Sequence, residues 1–201
     1  MPDDAVAHPL LARLAVTLAG REPARAERDE PFSEAAVSLI LRPRADDDCD
    51  LLLIRRAARD NDPWSGQIGL PGGRMAALDR SLEETAIRET QEEVGLDLRR
   101  DGRVLGVLGE LRPRTPSLPP IIVRPYVVAL FEHQGEPART SDEVAEVRWV
   151  SLRGLFAPEA RVRTQVQVRE HRLSVDAIRL GDFTIWGMTE RILSGLEELV
   201  R

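Results

Sequence analysis

The most strongly specified segment of the chain opens at Ser81 and closes at Gly95. Ser81 with Glu84 three residues on forms a capping box, which predicts a helix beginning at Leu82. Gly95 supplies the left-handed stop. At roughly 100° per residue, Leu82, Ala86, Ile87, Thr90 and Val94 share one arc of about 140°. That is a core-facing stripe. Glu89, Glu92 and Glu93 fill a neighbouring arc of about 100°, with Glu93 directed between Leu82 and Ala86. These carboxylates therefore sit at the margin of the core.

Charge placement on this helix breaks local rules. Residues three and four apart are neighbours, so Glu89 faces both Glu92 and Glu93. Glu92 and Glu93 also occupy the last turn, where the helix dipole disfavours negative charge. A divalent cation, oxygen-seeking and able to neutralise several carboxylates together, is one compensation. A solvated acidic face paired to arginines is the other, and Arg88 to Glu92 is one such pair. From the helix alone the two readings stand level.

The residues before the helix shift that balance. Pro71-Gly72-Gly73 reads as a backbone-exposed loop, since two glycines after a proline do not suit a strand interior. Such a loop ahead of a helix presents amides and carbonyls to a phosphate or metal.

At these intervals the stretch resembles the Nudix box, whose pattern is Gly-x5-Glu-x7-Arg-Glu-U-x-Glu-Glu-x-Gly-U with U apolar. Gly73, Arg88, Glu89, Glu92, Glu93, Gly95 and Leu96 match it. Asp79 stands where the family has Glu, eight residues rather than seven separate it from Arg88, and Thr90 fills an apolar position. The added residue precedes the Ser81 cap, so it lengthens the loop and preserves the helix register.

Composition bounds the rest. A chain of 201 residues with 31% charged and 42% hydrophobic residues suits one globular domain. A net charge of −6 argues against a nucleic-acid-coating surface. All 28 basic residues are Arg, which excludes a Schiff-base lysine, a PLP enzyme and a Walker-A loop. The single Cys49 excludes an internal disulfide framework or a cysteine zinc cluster. No apolar run approaches the ~18 residues of a membrane span. Asp3 and Asp4 make the N-terminus acidic, without a signal-peptide pattern. A soluble cytoplasmic protein is the expectation.

Residues 1–31 read as an N-terminal helix and linker, and residues 32–201 as the domain. Leu10, Leu11, Leu14 and Leu18 give an amphipathic helix over His8 to Ala19, packing on the domain or on a second subunit. A homodimer is a reasonable expectation. Strands are expected over Ala35 to Leu41 and Asp50 to Arg56, forming a hairpin across the Asp46-Asp47-Asp48 turn. Further strands are expected over Val104 to Leu111, Ile121 to Phe131, Glu143 to Val150, Val162 to Val168 and Arg172 to Val175. Pro125 suggests an edge or a bulge, and the prolines of Arg112 to Pro120 demand an irregular loop. Phe183 to Val200 reads as a closing helix. Trp64 suits a core plug better than a ring against a substrate base, and Trp186 to Thr189 suits core packing better than a pocket wall. Strands, a central helix, more strands and a last helix make an α+β fold, an α/β/α sandwich with a mixed sheet. The resemblance implies the same fold.

It also implies hydrolysis of a nucleoside diphosphate linked to another group, with Mg²⁺ or Mn²⁺. Glu89 and Glu93 are the best metal ligands, with Glu92 close behind and the Gly73 carbonyl a further one by family analogy. Arg88 is better placed to orient Glu89 or Glu92 than to meet substrate. A glutamate or a metal-bound hydroxide would activate water. Family members often use a carboxylate from outside the box, for which Glu143 is the candidate and Glu146 the next. Leu51 to Gly73 and Ile185 to Thr189 resemble the coenzyme A pyrophosphatase subgroup, although Leu70 replaces its Phe and the loop after Arg56 is longer. That subgroup implies release of 3′,5′-ADP and phosphopantetheine, with Arg55, Arg56 or Arg74 as phosphate contacts beside Gly72 and Gly73. ADP-ribose, dinucleotides and nucleoside triphosphates are alternative substrates. A nucleotide-binding module of the same fold without turnover is the alternative from another class.

Overall fold

A computed structural model describes residues 8–60, 64–113, 120–131, 140–168 and 171–201. In chain order α1 (Pro9–Ala19) leads into a hairpin of β1 (Ser33–Pro43) and β2 (Cys49–Arg56). Two short strands follow, β3 (Ile68–Gly69) and β4 (Gly72–Arg74), then the helices α2 (Leu82–Val94) and α3 (Leu98–Asp101). Next come β5 (Gly102–Val107), β6 (Ile121–Leu130), β7 (Val144–Ser151) and the short α4 (Leu152–Leu155). The chain closes with β8 (Arg161–Val168), β9 (His171–Leu180), β10 (Phe183–Trp186) and α5 (Gly187–Val200).

The main sheet is mixed. β1 runs parallel to β6, which pairs antiparallel with β5, and β2 carries β7 on its outer side. Side chains alternate between two apolar layers. Leu39, Leu41, Leu51 and Leu53 pack with α1 and α5 on one face. Ala36, Ile40, Leu52 and Ile54 pack with Leu82, Ala86, Ile87 and Val94 of α2 on the other. The expected α/β/α sandwich is therefore present. A separate antiparallel sheet of β8, β9 and β10 adjoins it. The apolar stripe of α1 is buried on the domain itself, with Leu11 and Leu14 fully covered. Among the described residues, no helix is long and apolar enough to cross a membrane.

The hairpin does not stay paired. β1 meets β2 only from Leu41 to Pro43 against Cys49 to Leu51. Beyond that the strands part, β1 taking β4 and β2 taking β3 as new neighbours. The wedge between them brings the Gly72-Gly73 segment against the sheet, under the C-terminal half of α2.

Three expectations need correction. Pro71-Gly72-Gly73 is not a free loop, because Gly72 and Gly73 pair with Val37 and Ala36 as strand β4. Glycine is suited here because the backbones come too close for a side chain. A Cβ on Gly72, whose φ is +151°, would lie 2.2 Å from the Ala36 carbonyl oxygen. The closing helix begins at Gly187 rather than Phe183, since Phe183 to Trp186 consists only of aromatic and β-branched residues and pairs with β9. Pro125 lies on an inner strand between β1 and β5 rather than on an edge, while the bulge offered as the alternative is found in the β5–β6 pairing. The proline is tolerated because β5 ends at Val107, after a register shift between Val104 and Gly106. The Leu108 N–H then donates to the Pro125 carbonyl. The turn at Asp46 to Asp48 is present, with Asp46 paired to Arg44 and Arg153 rather than gathered with its neighbours. The expected loop over Arg112 to Pro120 falls largely outside the described residues.

Candidate active site

The α2 caps set the phase of the site. Ser81 Oγ accepts from the Glu84 N–H at 3.2 Å, while the Glu84 carboxylate takes the Arg80 N–H. Gly95 ends the helix at φ +74°. This register aims Glu89 and Glu93 at β4 and leaves Glu92 toward solvent.

Glu93 is only 3% exposed, and its Oε2 accepts the Gly72 N–H at 2.8 Å. Burial pushes its carboxyl up to about 7, with Glu89 and Glu143 pushing the same way against Gly72 and Arg56. Burial also raises Glu89, against the pull of the adjacent Arg88 guanidinium. The Glu89 carboxylate occupies the space beside Gly73, where a Cβ would lie 2.5 Å from its carboxyl carbon. Both glycines thus serve the carboxylates: one donates its amide, and the other leaves room.

Arg88 binds three acids at once. It holds Asp79 through two bonds of 3.0 and 2.9 Å and reaches Glu89 and Glu92, each at 2.9 Å. It also donates to the Arg74 carbonyl at 3.3 Å. Arg88 therefore bridges the loop acid Asp79 to Glu89 and Glu92. The role of Asp79 was missed. Its side chain accepts Arg88, the Thr85 hydroxyl and the Ala76 N–H, and these bonds, Arg88 foremost, hold its carboxyl well below the usual range. Its occupation of the family's Glu position was the available signal.

Glu143 arrives from the turn before β7. The Ser141 N–H donates to the Glu93 carbonyl at 3.1 Å, satisfying a carbonyl in the last turn of α2. The Ala57 N–H donates to the Glu143 carbonyl at 2.8 Å, and Arg59 pairs with the Glu143 carboxylate at 2.9 Å. Glu143 and Glu89 line the same cavity, of about 900 Å³, with Gly72, Gly73, Arg56 and Arg74. Glu146 and Arg55 do not. Arg55 pairs with Glu146 at 3.1 Å and Asp182 at 2.6 Å, its guanidinium over the Phe183 ring. Strand alternation explains this, because adjacent residues of β2 face opposite sides of the sheet. Trp64 and Trp186 line the cavity too, so both belong to the pocket wall rather than to the packed core.

The donor set suits a hard cation. It offers oxygen ligands only, on two desolvated carboxylates that repel each other and would ionise more readily beside a positive charge. Among the described residues, no three acidic, histidine or cysteine side chains already converge into a cage. Ligands from substrate and water would complete the shell, as is usual for Mg²⁺.

Comparison with known proteins agrees with this geometry. The NUDIX domain model matches residues 32–170. The Nudix hydrolase NudL of Pectobacterium atrosepticum is 36% identical over 146 residues, covering 73% of this chain and 72% of that protein. An uncharacterised protein of Schizosaccharomyces pombe is 36% identical over 119 residues, covering 58% of this chain. The match spans only 36% of that longer relative. A MutT/nudix family protein from Enterococcus faecalis has the same fold, with a TM-score of 0.55 at 20% identity. That likeness covers 100% of this chain and 75% of the other.

Proposed function

The chain belongs to the Nudix hydrolase family, and on that footing we propose that it cleaves the pyrophosphate bond of coenzyme A or an acyl-CoA. The products would be 3′,5′-ADP and phosphopantetheine or its acyl form. At the coarser level it is a Nudix pyrophosphohydrolase, a class that acts on nucleotide pyrophosphates with divalent metal ions. One observation carries the finer reading. Glu89 of α2 lines the same cavity as an apolar patch of Ala35, Val37, Ile121, Val123 and Met188, which suits a pyrophosphate joined to an extended, weakly polar arm.

Glu89 and Glu93 would hold Mg²⁺ or Mn²⁺, with Glu92 and the Gly73 carbonyl as further ligands. A bound cation would supply positive charge to offset the negative charge of the pyrophosphate. Arg88, anchored on Asp79, fixes Glu89 and Glu92 without meeting substrate. Arg56 and Arg74 face the cavity and supply positive charge for the phosphates. Glu143 is the candidate to accept the proton of the attacking water as its oxygen bonds to phosphorus. The bond from that phosphorus to the bridging oxygen then breaks.

A substrate panel with Mg²⁺ and with Mn²⁺ tests the proposal. Coenzyme A and acyl-CoA should show the highest kcat/KM among coenzyme A, ADP-ribose, NADH, dinucleoside polyphosphates and dNTPs. A clear preference for another member would reassign the substrate. Tight binding of one compound with cleavage of none would support the binding-module reading.

A further inference from the structure

The loop between β2 and β3 closes on itself and on the turn that carries Glu143. The Arg56 N–H donates to the Gln67 carbonyl at 3.0 Å, and the Gln67 N–H to the Trp64 carbonyl at 3.2 Å. Between them the Arg59 N–H donates to Ser65 Oγ at 2.9 Å. The Ala57 N–H reaches the Glu143 carbonyl at 2.8 Å. Main-chain donors thus already hold the loop against the turn. The Arg59 side chain adds one bond more, from Nη1 to Glu143 Oε1 at 2.9 Å. Its two partners are 45% and 48% exposed, so neither charge needs the other to satisfy a buried group. Arg59 also lies outside the cavity lining, to which Glu143 belongs. A guanidinium in that place acts on the carboxylate rather than on a molecule in the cavity.

Glu143 needs such a hold. Its negative charge repels those of Glu89 and Glu93, and a half-exposed glutamate otherwise turns freely among rotamers. Arg59 holds one oxygen only, and among the described residues Glu143 Oε2 has no partner. We propose that Arg59 is a positioning residue, which fixes Glu143 through Oε1 and leaves Oε2 to accept the proton of the attacking water. Its effect on turnover rests on the hydrolase reading above; the ordering of the carboxylate does not. An exposed ion pair contributes little to folding, whereas a misplaced reacting group costs steeply in rate. The consequence of this contact therefore falls on kcat.

The test uses the intact chain with Mg²⁺ and the panel substrate that the wild type cleaves best. Arg59→Ala should lower kcat about 10- to 100-fold and leave KM nearly unchanged. Arg59→Lys, which keeps a cationic donor, should recover most of that kcat. In a Glu143→Ala background, Arg59→Ala should cost nothing further. Ser65→Ala loosens only the Arg59 main chain; it should lower kcat in the same direction and serves if Arg59→Ala fails to fold. A raised KM with unchanged kcat, or independent losses in the double variant, overturns the assignment. So does full turnover in Glu143→Ala. NMR relaxation of the Glu143 carboxyl carbon, identified by its absence in Glu143→Ala, reads the ordering without turnover. Arg59→Ala should disorder it. If it does so in a protein that cleaves no panel member, the positioning stands and the hydrolase reading falls. Turnover by the wild type, with Glu143 equally ordered in both proteins, does the reverse.

Discussion

Arg88 and Asp79 form a two-pronged pair, Nε to Oδ1 at 3.0 Å and an Nη to Oδ2 at 2.9 Å. The loop carries one more residue than the family pattern, and its acid is one methylene shorter. Together these still deliver a carboxylate to the arginine that steers Glu89 and Glu92. A buried acceptor of this kind contributes through every bond it satisfies. Asp79→Ala should therefore destabilise the fold by about 2 kcal/mol. Loss of a partner behind the ligands should also cut kcat roughly 10- to 100-fold. Chemical denaturation and steady-state kinetics check both. A variant with wild-type midpoint and turnover would remove Asp79 from the orienting network.

Glu93 makes the protein's stability depend on pH near neutrality. Its carboxyl is raised by burial to about 7 from an ordinary 4.5. A raised acid favours the folded state when protonated. That contribution is complete below the unfolded value and is lost as pH rises through the folded one. Metal-free protein should therefore show a falling Tm between about pH 5 and about pH 8, and Glu93→Gln should flatten the slope. Saturating Mg²⁺ should raise the wild-type Tm more at the alkaline end, where the carboxylate is ionised. The same variant should abolish metal-dependent hydrolysis while remaining folded. Equal metal stabilisation of wild type and variant would remove Glu93 from the ligand set.

The sequence made α2 legible because capping, periodicity and the Gly95 stop are local properties. It also exposed the β1–β2 hairpin, whose apolar runs flank a polar turn. The pairing of Gly72 and Gly73 with β1 was hidden, since only the tertiary fold brings a second backbone to the glycines. Phe183 to Trp186 misled for another reason: Ile185, Met188 and Ile192 keep near-helical spacing across a strand–helix junction. Arg55 and Arg56 could not be told apart without knowing which face of β2 meets α2. That Glu143 rather than Glu146 lines the cavity likewise follows from a turn anchored to the end of α2.

Thr90 fills a position that the family pattern gives to an apolar residue, and the structure supplies a reason. Its hydroxyl lies 2.7 Å from the Ala86 carbonyl and 3.0 Å from Ser38 Oγ, with both residues fully buried. Ser38 Oγ also lies 3.3 Å from the same carbonyl. Removing one hydroxyl takes one of the other's two partners, so Ser38→Ala or Thr90→Val alone should cost about 1 kcal/mol. The double variant restores an apolar contact and should cost less than the sum of the two. Denaturation of the four proteins gives the coupling directly. Strict additivity would show that the hydroxyls act independently.

Adjacent glycines should fail in opposite ways. A Cβ at Gly72 would meet backbone, at 2.2 Å from the Ala36 carbonyl oxygen and 2.6 Å from the Val37 Cα. Neither atom can yield without parting β4 from β1, and φ +151° is itself costly for alanine. Gly72→Ala should lose about 3 kcal/mol or more. A Cβ at Gly73 would meet only the mobile end of a side chain, the Glu89 carboxylate at 2.5 Å. Gly73→Ala should thus keep nearly the wild-type Tm. Glu89 must swing aside, and a displacement of that order at a reacting centre costs about 100-fold in rate. Thermal melts and turnover on the two variants separate the cases. If Gly73→Ala were fully active, the position of Glu89 beside β4 would be irrelevant to catalysis.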